Sequence, residues 1–180
     1  MRKTVISIFC FVISFSAFGQ ENYAKLVDSL RYVWAVPYME NCYDSVLCEI
    51  ISKGKAIVPD LINKMTDDEV LKEMYIPFFP AEYTVADIAY VAIQEIIPDI
   101  PTYKLLGISL DKDCGSCSYW KHLQSKKNRK KFQKNVRIWY EKNKDNLVWV
   151  ENPDSAMGWV TGDCSQPHPL GGHYFLQKEQ

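Results

Sequence analysis

The segment YTVADIAYVAIQEII, residues 83–97, is apolar on nearly every side of a helical turn. A helix with no polar face has to be covered by neighbours on several sides, so this one is expected at the centre of the fold. Thr84 followed three residues later by Asp87 has the spacing of a capping box that would start it. Pro98 and Pro101, which lack the amide hydrogen a helix needs, end it.

Working outward, the same period recurs on both sides. Tyr23, Leu26, Val27, Leu30, Val33 and Trp34 fall at three- and four-residue intervals and predict a first helix with these residues inward, ended by Pro37. Tyr43, Val46, Leu47, Ile50 and Ile51 predict a second, closed by Gly54. Pro59 sits where a third helix begins, with Ile57, Leu61, Ile62 and Met65 on its buried side. Thr66 with Glu69 has capping-box spacing and predicts a short helix through Met74, followed by an apolar connection at YIPFFPAEY. The last helix runs from about Lys126 to Asn143, with Phe132, Val136, Trp139 and Tyr140 inward and its lysines outward. Beyond it the chain is rich in turn formers; residues 147–150 and 158–161 are candidates to pair as a small β-hairpin.

A helix closing on Gly54-Lys55, an Ala-Ile-x-Pro entry, Leu61-Ile62, an Asp-rich exit and a following alanine-containing helix resemble HEAT-type helical repeats. The likeness extends to small secreted bacterial proteins of unknown function built around such a repeat, and covers roughly residues 44–97. It implies an all-α fold of HEAT-like antiparallel helix pairs with capping helices, and a scaffold that binds partners without catalysis; it transfers no site residues. Helical arrays need about three stacked units for a continuous core, so the flanking helices must act as caps. The expected organisation is a signal peptide at 1–19, a helical domain at 20–146, and an irregular tail at 147–180 packed on it.

The start of the chain, MRKTVISIFCFVISFSAFGQ, combines basic Arg2 and Lys3, a short apolar run, and Ala17 and Gly19 three and one residues before a cut ahead of Gln20. It predicts export to the periplasm or the exterior, and no second run suits a transmembrane segment in the mature chain. Removing residues 1–19 leaves 161 residues with 19 basic and 22 acidic side chains. The charge is unevenly placed. Cys114–Tyr140 holds eight basic residues and no acid, so the remainder carries 11 basic against 22 acidic. Lys126, Lys127, Arg129, Lys130, Lys131, Lys134 and Arg137 form the candidate surface for an anionic partner: an acidic protein, an anionic glycan or lipid headgroups. Export argues against nucleic acid. The competing view is the plain solvated face of the last helix.

Five cysteines follow the leader: Cys42, Cys48, Cys114, Cys117 and Cys164. An oxidising destination favours disulfides, and an odd number leaves one thiol over. Cys42 and Cys48 span about 9 Å of rise in a continuous helix, so they pair only if Cys42 lies in the preceding turn. The remaining reading is a structural disulfide, either within the Cys114/Cys117 pair or from one member to Cys164, the latter pinning the tail to the core. The alternative is a zinc- or thiol-dependent protein, with Cys114, Cys117, Cys164 and His168 or His173 as tetrahedral ligands. A thioredoxin-like role lacks the surrounding βαβ pattern. The region shows no nucleophile elbow, zinc-protease helix or phosphate-binding glycine loop, and no cofactor is expected. Trp149, Trp159 and Tyr174 are aromatic surface candidates.

Overall fold

The computed structural model describes residues 23–36, 44–72, 74, 82–110, 117–151 and 169–177. Within them the protein is mostly helical with a small two-stranded antiparallel sheet, rather than all-α.

The N-terminal stretch folds as helix α1 (Ala24–Asp28), a 3-10 turn (Ser29–Tyr32) and an extended Val33–Val36. The break corrects the single helix predicted there. Leaving the helical period rotates Trp34 out of the inner face, where it is 52 % exposed, while Val33, Ala35 and Val36 are buried. Helix α2 (Ser45–Ile51) starts at Asp44, whose Oδ1 accepts from the Val46 and Leu47 amides at 2.7 and 3.2 Å. Asp44 Oδ2 also accepts from the Trp34 amide at 3.2 Å, tying the extended segment to the helix start.

Gly54 at φ 59° supplies the left-handed residue that ends this unit, and a 3-10 turn (Gly54–Ile57) leads into α3 (Val58–Lys64) with Pro59 in its first turn. Ile57, Leu61, Ile62 and Met65 are buried as the period predicts.

The short helix expected after Thr66 does not form. The backbone of residues 67–71 is taken up elsewhere: Val70 bridges Thr84, the Leu71 amide donates to Tyr83 O, and Val85 and Ala86 donate to Glu69 and Asp67 carbonyls. Those last two bonds satisfy first-turn amides that a helix cannot satisfy internally. The YIPFFPAEY connection lies almost wholly outside the described residues.

Helix α4 (Val85–Ile96) is the centre of the fold. Only Gln94 and Glu95 among its twelve residues escape full burial. It packs on α2 and α3 and touches the sheet. Ile88, Ile93 and Ile96 are inaccessible to solvent; removing such a side chain to alanine costs about 2–5 kcal/mol. Thr102 begins α5 (Thr102–Leu106), and its hydroxyl shares a 2.7 Å hydrogen bond with the Tyr90 hydroxyl. Gly107, at φ 72°, ends α5.

Helix α6 (Cys117–Leu123) precedes α7 (Lys126–Asn143), which lies against α3, α5 and α6. Phe132, Val136 and Tyr140 are buried and Trp139 is half-buried, as expected. A 3-10 turn (Lys144–Asn146) delivers the chain to β1 (Leu147–Glu151). Its partner is β2 (Gly172–Leu176), with Leu147 opposite Leu176 and Trp149 opposite Tyr174. The predicted hairpin has its first strand where expected, paired with the end of the tail; residues 158–161 lie outside the described residues. Three contacts hold it there: Tyr174 against Gly54, Lys55 over the Tyr174 ring at 5.4 Å, and His173 Nδ1 at 2.8 Å from Glu95 O.

Candidate functional site

The basic residues singled out in the sequence all lie on or beside α7, and the helix sorts them by angle. At 100° per residue, Phe132, Val136 and Tyr140 define the buried side, and Lys127, Lys131 and Lys134 project from the opposite side. Lys130 flanks them, and Ile138 sits in the same stripe, 57 % exposed. None of the four lysines takes part in an ion pair among the described residues.

The remaining three basic residues are committed to the fold. Arg129 lies at the edge of the buried side and gives Asp87 a two-pronged bond, Nη1 to Oδ1 at 2.9 Å and Nη2 to Oδ2 at 3.1 Å. The Asp87 side chain is 1 % exposed and that of Arg129 13 %, so this is an interior pair. Asp87 Oδ2 also accepts from the Thr84 amide at 2.9 Å and the Thr84 hydroxyl at 2.7 Å. One carboxylate thereby caps α4 and anchors α7. Arg129 consequently leaves the outward basic surface assigned from sequence. Arg137 donates to Asn63 Oδ1 at 3.0 Å, fastening α7 to the end of α3. Lys126 pairs with Asp68, whose carboxyl it holds below its ordinary pKa.

Acids near the stripe are likewise occupied. Glu141 pairs with Lys144 at 2.6 Å, which raises the lysine's pKa, and Asp68 belongs to Lys126. The outward face of α7 therefore presents uncompensated positive charge on a rigid element.

Two depressions lie elsewhere on the described surface. A groove of about 680 Å³ runs past Thr84, Gln124, Lys126 and Lys130, but Asp68 and Glu82 line it too, and the mixture gives no single-sign field. A smaller cleft of about 260 Å³ holds Asp28, Asp60 and Asp67 around Lys64. Lys64 bonds Asp28 at 2.6 Å and Asp67 at 3.1 Å, lowering the Asp28 pKa and raising its own, so the charges are spent on each other.

The cysteine and histidine candidates are mostly separated from this face or outside the described residues. Cys42, Cys114, Cys164 and His168 lie outside them, as does the side chain of Cys117. Cys48 is a half-buried free thiol on α2, its pKa raised by burial and then by the Asp44 charge. His173 is buried between β2 and α4. Among the described residues, no three His, Cys, Asp or Glu side chains gather as a metal would require.

Of the aromatic candidates, Trp149 and Tyr174 form a cross-strand edge-to-face pair at 5.3 Å, which gives them a packing role; Trp159 is outside the described residues. Sequence reasoning missed the Asp87–Arg129 pair. Its signal was available as an acid in the first turn of a helix that is apolar on nearly every side, because a buried carboxylate needs a cation. No helix among the described residues is long and apolar enough to cross a membrane. No protein family, curated protein or solved structure matches this chain.

Proposed function

We propose that this chain is an exported, non-catalytic helical-repeat protein that serves as a binding or scaffold module, its helix pairs stacked in the HEAT manner, and that its contact surface is the outward face of α7. The observation that carries this reading is the division of α7: Arg129 is spent on Asp87 and Arg137 hydrogen-bonds Asn63, while Lys127, Lys130, Lys131 and Lys134 have no ion pair among the described residues. Like charges gathered on one face repel one another and raise the local potential, which an anionic partner relieves. The helix beneath is held by Phe132, Val136 and Tyr140 in the core, so the charges keep their spacing without a partner to order them.

The partner is an anionic surface or macromolecule, and export argues against nucleic acid in that role. The test is retention of the chain on an immobilised polyanion, such as dextran sulfate, over a salt gradient. Retention that fails at high ionic strength and is lost in the triple variant Lys127→Gln, Lys131→Gln, Lys134→Gln is the expected result. Retention indifferent to that variant overturns the assignment of the surface.

A further inference from the structure

Resting on that reading of the α7 face, we infer that its partner is an anionic lipid bilayer, met by α7 lying along the headgroups. Three features select a bilayer from among polyanions. First, Lys127, Lys131, Lys134 and Ile138 stand on one convex helix, and of the four lysines only Lys130, at the edge, lines a groove among the described residues; Lys127 to Ile138 span about 16 Å, a length that rests on a flat surface. Second, the cations opposite the buried side are all lysines. Arginine, whose flat fork suits bidentate recognition of a fixed phosphate or sulfate, is absent from that side: Arg129 is at Asp87, and Arg137 stays exposed on the flank beside Asn63. Ammonium point charges on flexible stems suit a mobile, two-dimensional array of headgroups.

Third, Ile138 is exposed in the middle of the stripe's C-terminal half, with Lys142 beyond it. Water gains nothing from an isoleucine there, and a hydrated polysaccharide offers it no apolar contact. A bilayer does, at the headgroup and acyl boundary, with lysine stems reaching back to the anionic layer. The flank agrees in sign: α5 lies against α7 and carries exposed Lys104.

The experiment is sedimentation with vesicles, using the chain that begins at Gln20, because the apolar run in residues 1–19 would bind lipid by itself. Among the described residues every buried core residue lies at or beyond Val27, and circular dichroism checks that this chain folds. Phosphatidylcholine vesicles containing phosphatidylglycerol are compared with phosphatidylcholine alone and with soluble dextran sulfate. Binding only to the anionic vesicles is expected, weakened roughly fivefold per lysine replaced and about a hundredfold in the triple glutamine variant. Ile138→Ser is expected to weaken vesicle binding about tenfold and to leave dextran sulfate unaffected. All four side chains are exposed, so circular dichroism should match the parent. Capture of dextran sulfate without vesicle binding, or vesicle binding indifferent to Ile138, overturns the bilayer inference and leaves the anionic-partner reading standing. Binding to neither overturns both.

Discussion

Replacing Arg129 by methionine should destabilise the fold far more than any other change on α7's basic surface. The substitution keeps most of the side-chain stem and helix propensity, so what it removes is the guanidinium on Asp87. Taking one partner from an interior ion pair costs about 3–5 kcal/mol, because the remaining charge stays buried. Asp87 retains two hydrogen bonds from Thr84, and Arg129 is slightly exposed, which places the expectation at the lower end, about 3 kcal/mol. Urea unfolding followed by circular dichroism reads this directly. With a slope near 2 kcal/mol per molar urea, the midpoint should fall by about 1.5 M. Lys127→Met, at an exposed position with no ion pair among the described residues, should change stability by less than about 0.5 kcal/mol. Adding Asp87→Asn to Arg129→Met should cost less than the two single changes summed, with a coupling of at least about 1.5 kcal/mol. A loss under about 1 kcal/mol for Arg129→Met, or strict additivity, would refute the claim that this pair locks α7 to the start of α4.

Other outcomes follow from the same geometry. Burial raises the Tyr90 and Tyr119 phenols well above the ordinary value, and it raises Tyr140, which donates to Lys55 O at 2.8 Å, to about 12. Unfolded tyrosines ionise near pH 10 while the folded ones hold their protons, so stability should be steady below that pH. It should then fall by about 1.4 kcal/mol per pH unit for each fully buried tyrosine, until the folded groups ionise; tyrosinate absorbance and circular dichroism should change together. Gly172→Ala places a methyl on the Val150 carbonyl and the Trp149 ring, so it should cost about 1–3 kcal/mol and alter Trp149 fluorescence, whereas Gly107→Ala meets open space and should cost only its left-handed strain, about 1 kcal/mol. Mass spectrometry of the chain that begins at Gln20, with alkylation, should find one free thiol, Cys48, slow to label until denatured because its pKa is raised, two disulfides among the other four cysteines, and no zinc. Retained zinc with several free thiols would instead favour the set Cys114, Cys117, Cys164 and a tail histidine.

The sequence determined by itself whatever depends on local period and end chemistry. The burial of residues 85–96, the Thr84/Asp87 start, the glycine at 54, the proline at 59 and both faces of α7 are all written in spacings of three and four. Each follows from one helix meeting one apolar neighbourhood, and no knowledge of which neighbour is needed. Tertiary structure decided what depends on competition between distant segments. Residues 67–71 had helical end signals, but their backbone groups were worth more against residues 83–86, where they complete the first turn of α4. Strand β1 pairs with the end of the tail, where Gly172 permits close approach to Val150 and Tyr174 fills the space over Gly54, a fit that no local pattern encodes. The basic run read as one patch because charge in a sequence carries no direction. Only the packing of α7 against α3 and α5 brought Arg129 to the Asp87 carboxylate and Arg137 to Asn63 and left the lysines facing out.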